Sequence, residues 1–221
     1  MVGQQLRIEK NAVGDISKVL RHELKAAVEP SVVPNLLNEL TSLGFVVAYP
    51  KRHIESTYFD SEKLDCFHHS EEGITPRFKV RLRRYPKTNA SRYLLEKKFS
   101  LSYCRMKTSD EINSQAIENM FRNGYQFQGV KLLSTLCVNY DRLYFLGPDD
   151  IRVTIDSDIG YYSPLTKQAA LLKDKVVVEV KTLDHTLGLD LLKRLNLRLE
   201  RFSKYCLGID VIESKFKSSD Y

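Results

Sequence analysis

Polar and apolar residues alternate with a period of two in several stretches of the chain, and this alternation predicts β-strands. The clearest stretch is residues 77–85, in which Lys79, Arg81, Arg83 and Tyr85 share one face and apolar residues occupy the other. Like charges in a row on one strand repel each other unless water or an anion lies over them. Taken alone, this basic row is typical of the solvated face of a half-buried strand.

Further strands and turns follow from the same alternation and from turn residues. Residues 77–85 and 91–99 are expected to pair as a hairpin through a turn at residues 86–90. A loop is expected at residues 161–175, and a polar tail after Tyr205. The other predicted strands are residues 53–60, 137–145, 151–158 and 176–182, with turns at residues 70–73 and 147–150.

Apolar residues with helical spacing predict helices at residues 31–43, 110–122 and 187–197. Ser109 is expected to cap the second of these helices, and Gly124 is expected to end it. The pattern of strands and helices together favours an α+β fold.

Residues 15–27 fit two interpretations. The apolar residues have helical spacing and Asp15 could serve as the N-cap, which favours a helix. Alternation of Arg21, Glu23 and Lys25 with less polar neighbours favours a strand instead. The local sequence leaves both interpretations open.

Charged residues recur on the polar faces of the predicted strands, most clearly as three copies of Glu-x-Lys. Placing all of these faces together predicts a closed antiparallel β-barrel, a tunnel with a charged interior that is flanked by helices. Because buried unpaired charge is costly, such a tunnel must hold water, ions and an anion. Cations outnumber carboxylates, so the expected guest is strongly negative and elongated. The residues concerned are Glu23, Lys25, Lys79, Arg81, Arg83, Glu96, Lys98, Arg142, Arg152, Thr154, Asp156, Glu179 and Lys181.

Composition narrows the classes of partner. The chain of 221 residues is expected to form a single domain (residues 1–221), and its net charge of +6 suits a polyanionic partner. Basic residues alternate with apolar ones and do not cluster with stacking aromatics, so nucleic acid is not an expected partner. No apolar run is long enough to cross a bilayer and no secretory signal is recognised, which predicts a cytoplasmic protein.

The cysteines favour neither a zinc site nor a disulfide framework. They are widely spaced and lack the Cys-x-x-Cys spacing that zinc sites use. We therefore expect them to be reduced and mostly structural. They are Cys66, Cys104, Cys137 and Cys206.

An ordered set of motifs resembles the VTC-type polyphosphate polymerase domain of the triphosphate tunnel metalloenzyme superfamily. The resemblance covers about residues 20–205, and it implies that residues 21–27 form the first tunnel strand. The whole set is much more specific than any one member. The motifs are Arg21-x-Glu23-x-Lys25, Tyr58-Phe59-Asp60, Lys79-x-Arg81-x-Arg83, Glu96-x-Lys98, Tyr140-x-Arg142, Arg152-x-Thr154-x-Asp156, Glu179-x-Lys181 and Ser203-Lys204-Tyr205.

The CYTH branch of the same superfamily is also similar, but it opens with Glu-x-Glu-x-Lys. Here Arg21 stands at the first of these positions. A base in place of an acid removes an expected metal ligand and adds a phosphate contact. The difference therefore favours a long polyanion over a compact metal-bound triphosphate, and the Ser203-Lys204-Tyr205 ending points the same way.

The resemblance implies a phosphotransferase that moves the terminal phosphate of ATP to inorganic polyphosphate with Mn²⁺ or Mg²⁺. The expected catalytic residues are Lys204, Arg152 and Glu179. The expected metal ligand is Glu179, supported by Glu23 and Glu96, because both ions prefer oxygen donors. The expected phosphate-binding residues are Lys25, Lys79, Arg81, Arg83, Lys98, Arg142, Arg152, Lys181, Ser203 and Lys204.

Several alternatives stay open. Lys25, Lys181 and the glutamates could instead form ion pairs within the tunnel, and Ser203 could cap a turn. Tyr58 and Asp60 are expected to support the fold. The function could also be hydrolysis of tripolyphosphate or nucleoside triphosphates, or polyphosphate binding without catalysis.

Overall fold

The computed structural model describes residues 21–86, 92–101 and 105–219. The residues before Arg21, most of the predicted turn at residues 86–90, and Cys104 lie outside this part of the chain. The strands are β1 (His22–Val28), β2 (Val46–Asp60), β3 (Arg77–Arg84), β4 (Tyr93–Ser100), β5 (Arg105–Glu111), β6 (Tyr125–Phe127), β7 (Val130–Leu146), β8 (Arg152–Tyr162), β9 (Ala169–Leu172) and β10 (Val176–Thr182). The α-helices are α1 (Val33–Ser42), α2 (Asp65–Glu71), α3 (Ser114–Asn123), α4 (His185–Arg194) and α5 (Lys204–Ser219).

The sheet is antiparallel and strongly curled, with strand order β1-β10-β8-β7-β2-β3-β4-β5. The α+β class is confirmed, but the predicted closed barrel is wrong. The sheet is an open half-barrel, because no backbone pairing joins β1 to β5 among the described residues. Strand β1 instead receives a hydrogen bond from the segment before α5, since the Glu200 amide donates to the Lys25 carbonyl at 2.8 Å. An ion pair nevertheless joins the two ends of the sheet, since Lys98 Nζ of β4 lies 2.7 Å from Glu23 Oε2 of β1.

Strand β1 settles the ambiguity in the described part of residues 15–27. Its seven residues pair with β10 from His22 opposite Thr182 to Val28 opposite Val176. Strand β10 lies far from β1 in sequence, so the local pattern could not reveal this pairing.

The loop predicted at residues 161–175 is wrong in part, because this segment contains β9 and the end of β8.

The helix predicted at residues 110–122 begins later than expected. Asn113 caps α3, because its side chain accepts a hydrogen bond from the Ala116 amide at 2.9 Å. Ser109 is not the cap, since it lies in β5 opposite Glu96. Pairing with β4 keeps this segment extended, and the helix starts only after β5 ends at Glu111.

Two apolar layers cover the convex side of the sheet. Helices α1 and α4 pack on β1, β8 and β10 through residues such as Leu36 and Leu191. Helix α3 packs through Met120 against Val80 and Leu82 of β3. The apolar faces of β1, β3, β8 and β10 therefore lie under helices, as the alternation predicted.

The predicted polar tail after Tyr205 is wrong, because the chain forms α5 there. Tyr205, Cys206, Ile209 and Ile212 are buried and belong to one cluster with apolar residues of the concave face. Part of that face is therefore apolar and covered by α5, while the remainder carries the charged residues. None of the described helices is long and apolar enough to cross a membrane.

Candidate anion-binding cavity

A cavity of about 650 Å³ lies on the charged part of the concave face. It is lined by residues of β1 to β5, β7 and β10, by Ser70 of α2, and by the segment that leads into α5. Alternation explains the arrangement, since every second residue of these strands points to this face. The predicted site residues that line it are Glu23, Lys25, Lys79, Arg81, Arg83, Glu96, Lys98, Arg142, Glu179, Lys181, Ser203 and Lys204.

Arg152 does not line the cavity, although it was predicted as a catalytic and phosphate-binding residue. It is the first residue of β8, its side chain is 55% exposed, and its guanidinium lies 3.6 Å from Asp150 Oδ1. Thr154 and Asp156, further along β8, are buried. Arg21 also binds Asp150, through the carboxylate and the main-chain carbonyl, and is absent from the cavity lining. Arg21, which was expected to add a phosphate contact, therefore lies outside the cavity lining.

Glu96 organises the wall formed by β3, β4 and β5. Its carboxylate accepts from Arg81 Nε at 2.5 Å, lies 3.6 Å from Arg83 Nη1, and binds Lys107. Burial raises the pKa of Glu96, but the charges of the three cations outweigh burial and lower that pKa to about 2. Glu96 therefore holds the cations in place. This is the ion-pair alternative to its predicted role as a metal ligand.

Asp156 compensates two cations at the floor of the cavity. Its fully buried carboxylate accepts two hydrogen bonds from Arg142, at 2.5 and 2.7 Å, and another from Lys204. Burial raises the pKa of Asp156, but Lys204 and Arg142 outweigh it and hold that pKa below its ordinary value. Both cations also lie over the ring of Tyr140, with Lys204 Nζ at 4.7 Å and the Arg142 guanidinium at 5.2 Å.

Glu23 and Glu179 share Lys181, whose Nζ lies 3.9 Å from Glu23 and 3.5 Å from Glu179. Burial raises the pKa of Glu179, but Lys181, Lys25 and Arg142 outweigh it and hold the pKa well below its ordinary value. Burial and the charge of Glu179 raise the pKa of Glu23, but Lys98 and Lys181 outweigh them and hold it below its ordinary value. Both carboxylates are therefore charged at neutral pH.

A divalent cation fits two of the three predicted carboxylates. No three metal-binding side chains converge in the ranges that the structure describes. Mg²⁺ often takes only one or two carboxylates and completes its shell with water and substrate phosphates, which Glu23 and Glu179 would allow. The hydroxyl of Thr154, opposite Glu179 in the sheet, is buried without a hydrogen-bond partner and adds an oxygen nearby. Glu96 does not fit, because three cations occupy its carboxylate.

The N-terminus of α5 forms another part of the wall. Ser203 caps this helix, since its hydroxyl accepts from the Cys206 amide at 3.3 Å, and it also accepts from Lys79 Nζ at 2.9 Å. Lys25 Nζ donates to the Phe202 carbonyl at 3.1 Å. The positive end of a helix dipole therefore adds to the lysines of this wall.

Tyr58 lies in the cavity, although it was expected to support the fold. Its hydroxyl accepts from Arg81 Nη1 at 2.9 Å, and its ring stacks on Tyr205 with centroids 5.0 Å apart. Burial raises the pKa of Tyr58, but Arg81, Arg83 and Lys79 outweigh it and lower the pKa to about 8. The phenol therefore titrates close to neutral pH.

Asp60 supports the fold, as expected. It is fully buried and accepts from the amides of Cys66 and Phe67 at 2.8 and 3.0 Å, and from the hydroxyl of Tyr205. One carboxylate thus joins the start of α2 to the first turn of α5.

Several cavity residues were not predicted. Lys107 lies on β5, where Arg105, Lys107 and Ser109 alternate as a strand requires, but the segment was partly assigned to a helix. Tyr140 was noted only as part of a motif; its hydroxyl accepts from Arg83 Nη2 at 3.1 Å. Arg201 donates to the Ser70 carbonyl and also lines the cavity.

The curled sheet and its basic concave cavity define a protein of the triphosphate tunnel class. Solved structures share the fold. A provisionally assigned adenylate cyclase from Bacillus halodurans matches with a TM-score of 0.59 and 10% identity, covering 83% of this chain and 94% of the other. A provisionally assigned adenylate cyclase from Vibrio parahaemolyticus matches with a TM-score of 0.54 and 16% identity, covering 85% of this chain and 97% of the other. A third such protein, from Hippeastrum, is described as having a dominant triphosphatase activity. It matches with a TM-score of 0.52 and 14% identity, covering 86% of this chain and 96% of the other.

Within this class, the chain belongs to the VTC domain family, whose profile matches residues 20–213. The resemblance seen in the ordered motifs is therefore confirmed. A search of curated proteins gave no significant match.

Proposed function

We propose that the protein is a metal-dependent phosphotransferase that transfers the terminal phosphate of ATP to inorganic polyphosphate. Membership of the VTC domain family supports this proposal. The observation that carries it is the charge of the cavity, which is lined by eleven Lys and Arg residues and four Glu residues. Such an excess of cations suits a ligand that carries one negative charge or more per phosphate unit.

The residues of the cavity would act mainly by neutralising and aligning phosphates, because phosphoryl transfer requires little covalent chemistry from a protein. Arg81, Arg83 and Arg142 present forked donors that suit phosphate oxygens. Lys204 would bind phosphate next to the positive end of α5. Glu179 would hold Mn²⁺ or Mg²⁺ together with Glu23, and the bound cation would offset part of the phosphate charge.

The transfer itself needs no further reactant. A terminal oxygen of the acceptor polyphosphate attacks the γ-phosphorus of ATP, and the bond from that phosphorus to the β,γ-bridging oxygen breaks. ADP leaves with the electron pair of the broken bond, and the acceptor is one phosphate longer. Lys98 and Lys181, which pair with Glu23 in this structure, would exchange this partner for phosphate oxygens.

Incubation of the pure protein with ATP and Mn²⁺, followed by electrophoresis on a polyphosphate gel, tests the proposal. We expect a ladder of polyphosphate that requires the metal. Release of orthophosphate without any polymer would contradict the transfer reaction.

Hydrolysis of tripolyphosphate or nucleoside triphosphates is the second candidate. It is favoured by the position of α5, which covers the apolar part of the concave face and leaves a compact cavity beside its first turn. The triphosphatase activity described for the Hippeastrum protein agrees with this candidate, although the likeness extends only to the fold. Orthophosphate release in the same assay would support it. Tight polyphosphate binding without any turnover would instead indicate a binding protein.

A further inference from the structure

A row of alternating aromatic rings and cations leads out of the cavity along β7 and β2. This aromatic ladder consists of Tyr140, Arg142, Tyr144, Arg52 and Tyr49. The Arg142 guanidinium lies 5.2 Å from the Tyr140 ring and 5.9 Å from the Tyr144 ring, and the Arg52 guanidinium lies 5.5 Å from Tyr144 and 4.8 Å from Tyr49. Tyr140 and Arg142 line the cavity, whereas Tyr49 is 53% exposed.

A distortion of β2 brings the outer end of the ladder together. Tyr49 and Arg52 are three residues apart, so on a regular strand their side chains would point to opposite faces. The register of β2 against β7 shifts on both sides of Tyr49, which pairs with Tyr144, while Arg52 pairs with Arg142. Such bulges re-aim side chains and are frequent next to functional sites. Here the shift places the rings of Tyr49 and Tyr144 5.6 Å apart, edge to face.

Arg52 and Tyr49 have the properties of a site for a planar ring. Within residues 21–86, 92–101 and 105–219, Arg52 has no carboxylate partner, and its guanidinium lies over the two tyrosine rings. The ring of Tyr49 contacts this guanidinium and the ring of Tyr144, and about half of the residue is exposed. Aromatic rings and guanidinium planes of this kind bind nucleobases by stacking.

The spacing also suits a nucleotide. Tyr140 and Tyr144 are four residues apart on β7, which corresponds to about 13 Å along a strand. This length is comparable with the distance from the terminal phosphate to the base in an extended nucleoside triphosphate. Phosphates held at Arg142 and Lys204 would therefore leave the base near Tyr144, Arg52 and Tyr49.

We infer that Tyr49, Arg52 and Tyr144 form a nucleobase-stacking subsite for a nucleoside triphosphate whose phosphates occupy the cavity. The inference rests on the proposed function, in which ATP is the phosphate donor. Inorganic tripolyphosphate has no ring, so it binds the cavity without this subsite. ATP and tripolyphosphate therefore separate the contribution of the subsite from that of the cavity.

Calorimetric titration of the pure protein with ATP and with tripolyphosphate tests the inference. We expect Tyr49→Ala to weaken ATP binding about tenfold, since base stacking on an aromatic residue has that magnitude, and to leave tripolyphosphate binding unchanged. Tyr49→Phe keeps the ring and should bind ATP like the wild type. Tyr162→Ala, at an exposed tyrosine at the end of β8 outside the cavity lining, should change neither affinity.

Other results would overturn the inference. An equal loss of ATP and tripolyphosphate binding in Tyr49→Ala would show that the ladder only supports the cavity. An unchanged ATP affinity, or a wild type that does not bind ATP, would show that no base is held there. Unchanged tripolyphosphate binding shows that the variant is folded. A selective loss of ATP binding in a protein that makes no polymer would refute the polymerase proposal and leave the subsite standing.

Discussion

The change Asp156→Asn tests whether the carboxylate of Asp156 stabilises the protein by compensating the cations of the cavity. Asp156 compensates Arg142 and Lys204 in a fully buried position. Removing one partner of a buried ion pair costs about 3–5 kcal/mol, because the remaining charge is left uncompensated. In a chain of this size each kcal/mol lowers the melting temperature by about 2–4 °C. We therefore expect the variant to melt about 6–20 °C below the wild type.

The same change should increase the effect of a polyanion on stability. Thermal melting is measured in a buffer free of phosphate and sulfate, with and without tripolyphosphate. The ligand neutralises the cations that Asp156 no longer compensates, so it should raise the melting temperature more in Asp156→Asn than in the wild type. Asp158→Asn is the matched control, because Asp158 is exposed on the same strand.

Acid titration adds a further check on Asp156. Its pKa is lowered in the folded protein, so its contribution to stability is complete above the unfolded value of about 4 and is lost as the pH falls through the lower folded value. The variant should lack this part of the acid sensitivity. If Asp156→Asn melted like Asp158→Asn, and tripolyphosphate stabilised both equally, Asp156 would not compensate the cavity cations and the reasoning would be refuted.

Four further changes test the site and the fold. Glu179→Gln should abolish Mn²⁺-dependent turnover and leave tripolyphosphate binding largely intact; full activity would refute the metal assignment. Arg81→Ala should weaken tripolyphosphate binding about ten- to a hundredfold by calorimetry, because charge-assisted hydrogen bonds are lost. Tripolyphosphate affinity should fall as the pH rises through about 8, where Tyr58 gains a negative charge, and Tyr58→Phe should remove that step. Gly208→Ala should lower the melting temperature, since its Cβ would lie 2.5 Å from a tyrosine ring, whereas Ser214→Ala on the exposed side of α5 should not.

Strands could be predicted from sequence where the alternation is unbroken. Strand β10 coincides with the predicted residues 176–182, and β3 ends one residue before the predicted Tyr85. Each of these strands has an apolar face under a helix and a charged face in the cavity, so the period of two persists along its whole length. The prediction of β2 began only at His53, because the register shifts around Tyr49 and the proline at position 50 disrupt the alternation upstream.

Other parts of the fold depend on contacts that the local sequence does not reveal. Strand β1 looked equally helical, and only its pairing with β10 decides the matter. The outer edge of β1 accepts a hydrogen bond from the Glu200 amide, far away in sequence, and in the part of the chain that the structure describes it does not pair with β5. Helix α5 could have been recognised, since Tyr205, Ile209 and Ile212 have helical spacing. The surrounding polar residues concealed that stripe.

Most of the site could be predicted because its residues share strand faces. Arg152 has the same alternation as Asp156, but the sequence does not show that β8 begins at Arg152, outside the cavity. Lys107 was missed because β5 is polar on both faces, which gives no apolar stripe to mark a strand. Glu96 was recognised, but the cations that occupy its carboxylate come from two other strands.

The position of α5 has a consequence for the kinetics of a polymerase. Since α5 covers the apolar half of the concave face, the cavity is bounded on that side by Ser203 and Lys204. A nucleotide and a growing polymer would then share the open side, and the chain would have to slide outward by one phosphate after each addition. Accumulated product would occupy the same cations as ATP. The polymer would therefore compete with ATP for the cavity and slow its own elongation. Its final length would depend on how quickly it leaves the cavity.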